Sequence, residues 1–164
     1  MMSGIFTLRD WIIKPRSVLN ETDLKKGYKV LDYGCGPGSY SLEAADLVGF
    51  SGEVFAIDIN PFALKRVEER ASRKGIKNIH TILTDCATGL ESNSIDVVLL
   101  YDIYHIFEHP DRILEELHRI LKPHCILSFS DHHMDEKSIV SGVTQNGLFS
   151  FLSKGKMTYT FVRN

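Results

Sequence analysis

Hydrophobic and polar positions follow two rhythms along this chain. Short apolar runs alternate with stretches whose apolar residues recur every three or four positions; the first kind reads as buried strand, the second as amphipathic helix. Lys29–Tyr33 (KVLDY) runs into a glycine cluster and predicts a buried strand, and Tyr40–Val48 predicts a helix that stops at Gly49. Glu53–Ile59 predicts a second strand. Asn60 then caps a helix with Pro61 at its first position, Leu64, Val67 and Ala71 along one face, and Gly75 just past its end. Asn78–Thr84 predicts a third strand, and Ile95–Tyr101 a fourth that is apolar enough to be buried on both faces. Pro110 opens a further helix striped by Ile113, Leu114, Leu117, Ile120 and Leu121, which Pro123 is expected to stop. Cys125–Ser130 predicts a fifth strand and Ser138–Gln145 a short helix.

The last segment breaks the alternation. Leu148–Leu152 and Thr158–Arg163 predict two strands joined only by Ser153–Met157. A parallel crossover needs about a dozen residues or more, so this pair must be an antiparallel hairpin. The chain thus predicts an α/β fold with a parallel βαβ sheet closed by an antiparallel edge.

Composition narrows the class. The chain has 164 residues, 43% hydrophobic and 24% charged, which suits one domain over residues 1–164 with a core of its own. Nineteen Lys+Arg stand against 21 Asp+Glu, a formal net charge of −2, so a nucleic-acid partner is not expected. Cys35, Cys86 and Cys125 fit no disulfide framework, and no run approaches the roughly 18 apolar residues of a membrane span. The opening segment does not read as a signal peptide. The expected location is cytoplasmic, with no membrane partner. Residues 1–28 precede the core at 29–164, and their Ile5, Phe6, Leu8, Trp11, Ile12 and Ile13 suggest either a packed helical segment or a lid.

Candidate chemistry gathers at the strand ends. In VLDYGCGPGSY (Val30–Tyr40) a strand leads through Asp32 into Gly34, Gly36 and Gly38 and then a helix. Glycines suit a tight turn that a nucleotide-like ligand approaches closely. Ser39 stands where a dinucleotide fingerprint wants glycine, so the spacing is GxGxG. Asp58 ends the second strand twenty residues past Gly38, where an acid can accept both ribose hydroxyls. Asp85 ends the third strand in the same manner and could accept from an adenine amino group.

On these residues the chain resembles the class I S-adenosylmethionine-dependent methyltransferases, from about Lys25 to the C-terminus. The resemblance implies a Rossmann-like, doubly wound, mostly parallel seven-stranded sheet with an antiparallel C-terminal hairpin and helices on both faces. It implies S-adenosylmethionine as cofactor and S-adenosylhomocysteine as product, held by Asp32, Tyr33, Gly34, Cys35, Gly36, Gly38, Asp58, Ile59, Asp85, Cys86 and Tyr101. The glycine loop would wrap the amino-acid part, Asp58 the ribose and Asp85 the adenine. The segment IDVVLLYDIYHIF is similar to the family's fourth strand and the residues after it. Tyr101, Asp102 and His105 would then line the pocket, with His105 or Asp102 as base where the acceptor must lose a proton. One departure is visible: the family's Lys-Pro-Gly-Gly before the fifth strand is here Lys122-Pro123-His124-Cys125, a change expected to bear on stability rather than binding.

The acceptor is not identified by the sequence; a small molecule is expected, with lipid-like quinones or a protein left open. The residues after the fourth strand, YDIYHI, lack the NPPY-type element of enzymes that methylate the amino groups of adenine, glutamine or cytosine. A non-catalytic cofactor-binding subunit is the alternative, favoured by the short segments before the first strand and between the fifth and sixth. A nicotinamide-dependent reductase is disfavoured by Ser39 and the terminal hairpin. His105, His109, His132 and His133 read as polar loop histidines and no metal is expected; adjacent His132 and His133 would point opposite ways on an extended chain. Cys35 and Cys86 read as small residues filling tight space. Homo-oligomerisation stays open.

Overall fold

The computed structural model describes residues 14–164; the apolar segment at 5–13 lies outside them. Seven strands make a mixed sheet, ordered β3-β2-β1 within residues 1–85 and β4-β5-β7-β6 within residues 86–164, the two compact units of the chain.

In the first unit a short helix α1 (Pro15–Leu19) precedes β1 (Lys29–Tyr33), α2 (Ser39–Val48), β2 (Glu53–Asp58), α3 (Pro61–Arg73) and β3 (Ile79–Leu83). The three strands pair in parallel, Tyr33 beside Ile57 and Asp58 beside Leu83, so all of them end at one edge. Val30, Leu31, Val54 and Ile57 on the strands and Ala44, Val48 and Val67 on the helices are fully buried. Each large apolar side chain so removed from water contributes about 1.5–3 kcal/mol. The cap expected at Asn60 forms, its side chain accepting from the Phe62 N–H at 3.0 Å. Arg16 reaches Glu43 at 3.1 Å and Asp46 at 2.7 Å, fastening α1 to α2.

In the second unit β4 (Ile95–Tyr101) runs parallel to β5 (Leu121–Ser130), with α4 (Pro110–Ile120) between them. Then follow α5 (Glu136–Thr144), β6 (Phe149–Lys154) and β7 (Tyr159–Arg163), and the expected antiparallel hairpin of β6 and β7 pairs with β5 through β7. Every β4 residue except Asp96 is buried. Phe129, Phe149 and Phe161 fill the interior, and Phe161 meets Phe129 and Phe151 edge to face.

α4 stops before Pro123, but earlier than its apolar stripe suggests. The helix ends at Ile120, Leu121 is already extended, and the fifth strand starts there rather than at Cys125. Between the Ile95–Leu121 and Val97–Ile126 pairs the register shifts, and the extra residues of β5 bulge outward. Lys122 in the bulge binds Asp96 at 2.7 Å, and His124 is driven to φ +61°. The non-glycine residue that departs from the family pattern thus sits in a left-handed conformation that disfavours a Cβ.

Two stability predictions follow from these local geometries. His124→Gly should raise stability by about 0.5–1 kcal/mol, the left-handed strain exceeding glycine's extra unfolded-state entropy, as read by urea unfolding. The second concerns Glu116, whose Oε1 accepts from the Thr88 N–H and hydroxyl while Arg119 donates to both carboxylate oxygens. The Arg119 hydrogen bonds lead in pulling its pKa from 4.5 down to about 2, against burial. Because the folded pKa is depressed, this stabilisation is present above about pH 4.5 and fades as pH falls toward 2. Glu116→Gln should cost about 1–3 kcal/mol at pH 7 and much less near pH 2.5, measured by denaturation at both pH values.

Candidate functional site

The glycine turn after β1 is held from several sides. Gly34 and Cys35 both donate to the Ile57 carbonyl at 2.8 Å, anchoring the turn to β2. Gly36 N–H donates to Asp58 Oδ2 at 2.9 Å, while Asp58 Oδ1 accepts from Asn60 N–H at 2.9 Å. Arg70 on α3 donates to the Pro37 carbonyl at 2.7 Å. Arg70 is a contributor that its spacing in the sequence did not reveal.

The three loop glycines all have positive φ, but two of them serve different ends. A Cβ on Gly38 would lie 2.7 Å from Val67, so this glycine lets α3 pack against the start of α2. A Cβ on Gly36 would meet nothing within 4 Å, leaving open space over the turn.

The structure distributes the predicted residues unevenly. Asp58 is half-buried at its strand end, with Ile59 exposed beside it and Asp85 exposed past β3. Asp32 lies beneath the loop, 2% exposed, where Ser41 Oγ donates to its Oδ2 at 2.6 Å. Burial pushes its pKa up to about 6, with the Asp58 charge adding to the rise and the Ser41 hydrogen bonds opposing it. Tyr33 is also buried; its hydroxyl donates to the Asp85 carbonyl at 2.7 Å and so fixes the chain after β3. Cys35 packs among Ala56, Leu64, Val67 and Ile79, and burial pushes its thiol far above the ordinary range, leaving a packing group rather than a nucleophile.

In the second unit the ends of β4 and β5 exchange acids and histidines. Asp102, just past β4, accepts from the His132 N–H at 2.8 Å and from its ring Nδ1 at 2.7 Å. Asp131, just past β5, accepts from the His105 N–H at 3.1 Å and its ring Nδ1 at 2.8 Å, and from the His133 N–H at 3.0 Å. Burial pushes the Asp131 carboxyl up, but these donors outweigh it and hold the pKa below the usual range. The His105 and His133 rings stack at 4.0 Å between centroids. No spacing in the sequence marks Asp131, which follows β5, 26 residues from the histidine it binds.

Tyr101 is buried and its hydroxyl shares a 2.7 Å hydrogen bond with Ser128 across β4 and β5. Cys86 is tied to the Arg112 carbonyl at 3.6 Å. Among the described residues no helix is long and apolar enough to cross a membrane.

A glycine turn bonded to a strand-end carboxylate, in a mixed sheet closed by an antiparallel hairpin, defines a Rossmann-like cofactor-binding class. Residues 24–160 match the family described as a methyltransferase domain, and the chain belongs to that family. It is 27% identical over 125 residues to demethylmenaquinone methyltransferase of Geobacillus stearothermophilus, covering 74% of this chain and 53% of that protein. It is 32% identical over 99 residues to the aklanonic acid methyltransferase of Streptomyces sp. strain C5, covering 60% of this chain and 44% of that one. The chain therefore spans about half the length of these curated relatives. A solved S-adenosylmethionine-dependent methyltransferase from Aquifex aeolicus superimposes with a TM-score of 0.83 at 25% identity, covering 98% of this chain and 96% of that one.

S-adenosylmethionine is the cofactor of this family, and the first unit fits it. The open space at Gly36 admits a ligand against the backbone, Asp58 offers a carboxylate, and Ile59 and Leu83 are exposed apolar groups at the strand ends. The different surroundings of Gly36 and Gly38 give a test. Gly38→Ala should lower stability by more than about 1 kcal/mol through strain and the Val67 clash. Gly36→Val should instead abolish S-adenosylhomocysteine binding in calorimetry while the melting temperature shows a folded protein.

Proposed function

We propose that this chain is an S-adenosylmethionine-dependent methyltransferase acting on a small-molecule acceptor. The observation that carries the reading is the Gly36–Asp58 hydrogen bond beneath an open turn, a backbone cradle joined to an acid that retains lone pairs for ribose hydroxyls. The names of the relatives, which give demethylmenaquinone and aklanonic acid as acceptors, support a small molecule here. The family match across 24–160 supports a single catalytic domain, and three free cysteines suit a reducing cytoplasm.

The cofactor supplies an electrophilic methyl group on a sulfonium. Gly34, Gly36 and Gly38 shape the turn that receives its amino-acid part, with Asp32 and Tyr33 bracing that turn from below. Asp58 would bind the ribose, with Ile59 and Asp85 beside the base. His105 serves the acceptor: with Nδ1 donating to Asp131, its Nε2 keeps the lone pair that can take a proton. We favour His105 over Asp102 as base, since Asp102 Oδ1 already accepts from the backbone N–H and the ring Nδ1 of His132.

Calorimetry should show binding of S-adenosylhomocysteine and none of NAD, and labelled cofactor with a metabolite extract should yield a methylated product by mass spectrometry. Cofactor binding with no product in any extract would return the chain to a non-catalytic binding subunit. Asp58→Ala should cost about 2–4 kcal/mol of cofactor binding, roughly 30- to 1,000-fold in affinity. His105→Gln should lower kcat by about 10²–10⁴ with cofactor affinity nearly intact if proton removal is its task. Wild-type kcat and KM in that variant would remove His105 from the machinery.

A further inference from the structure

The arrangement around Asp131 exceeds what orienting one imidazole requires. Its side chain is wholly buried, yet two histidine rings converge on it, one toward each oxygen: His105 Nδ1 at 2.8 Å from Oδ2 and His133 Nδ1 at 3.5 Å from Oδ1. One ligand atom from each of the three residues lies within 4.8 Å of the others. The two imidazoles are pressed face to face, with 29° between their planes. The His105 and His133 N–H groups bind the same carboxylate and fix its orientation from behind, as outer-shell donors do for a ligating carboxylate.

We propose that His105, Asp131 and His133 form a binding site for a late first-row divalent cation, with zinc as the test case. Two imidazole nitrogens and one carboxylate oxygen are the donor set that holds zinc in open sites, where three protein ligands leave a position for water or substrate. Ligand bonds of about 2.0–2.2 Å in a tetrahedral frame separate donors by about 3.4 Å, so closing the cluster needs ring movements on the order of 1 Å. His105 is 26% exposed and His133 64% exposed at the side chain, and both have room for them.

Proton accounting is simple. In the metal-free state His105 carries its proton on Nδ1, donated to Asp131. When the cation takes Nδ1, that proton moves to Nε2 and the imidazole stays neutral. Base and metal ligand are therefore alternative states of His105, and only the metal-free state leaves a lone pair on Nε2. The open position on the cation would take an oxygen or thiol of the acceptor, a link that rests on the methyltransferase reading; the cation site itself does not.

The test uses the full chain stripped of metal and titrated with zinc sulfate by calorimetry, then with cobalt(II) chloride followed by visible absorption. One cation per chain is expected, with cobalt bands of the intensity of four- or five-coordinate sites. His133→Gln, an exposed change that spares the Asp131 backbone contacts, should weaken zinc by more than about 100-fold, beyond the loss of an outer-shell partner. His132→Gln, one residue away on Asp102, should leave zinc affinity unchanged. No stoichiometric binding, or binding that His133→Gln leaves intact, would overturn the site. S-adenosylhomocysteine affinity measured on the same samples separates the readings: retained there, a failed zinc titration leaves the methyltransferase assignment standing.

Discussion

A half-buried carboxylate must have its lost hydration replaced by donors that cannot drift, and Asp58 obtains them from the backbone. Gly36 N–H takes one oxygen and Asn60 N–H the other, so the acid holds the glycine turn on one side and the first turn of α3 on the other. Charge-assisted hydrogen bonds of this kind are roughly twice as strong as neutral ones. The turn has little else to define it, since its glycines carry no side chains and three of them take positive φ. Ile57's carbonyl fixes Gly34 and Cys35, Arg70 fixes Pro37, and Asp58 fixes Gly36. Without them the loop would be a flexible peptide, and any ligand would have to bear the cost of ordering it.

Beneath this turn the structure tolerates an electrostatic burden. Asp32 is buried with only the hydroxyl and backbone N–H of Ser41 opposing the cost of desolvation and the charge of Asp58, and its pKa rises to about 6 in consequence. Such a raised carboxylate weakens the fold as pH climbs through that value, because the folded state holds the proton more tightly than the unfolded one. Perturbed acids of this sort gather where function rather than stability sets the arrangement.

The second unit uses acids in the opposite way. Asp131 is as inaccessible as Asp32, yet three donors converge on it and its pKa moves down. The difference lies in partners, not burial. Asp102 and Asp131 each take a histidine from beyond the neighbouring strand, so the loops after β4 and β5 are cross-tied by polar contacts.

Periodicity alone carried the strand and helix pattern, since a buried strand and an amphipathic helix each impose a spacing that no loop shares. The brevity of the β6–β7 connection determined the hairpin, and the strand-end acids with the glycine turn marked the candidate site on chain-local geometry. The bulge in β5 was not legible, because Pro123 reads as a helix stop whether the chain then turns or runs extended, and only pairing with β4 decides. Nor was the Asp131 cluster, nor the contrast between Gly36 and Gly38. His105, Asp131 and His133 become neighbours only when two parallel strands bring distant loops to one edge, and Gly38 is distinguished only by the Val67 side chain packed against it. Sequence determined what each segment prefers by itself; tertiary structure decided which side chains lost water together, and that desolvation sets the partners and charges of the site.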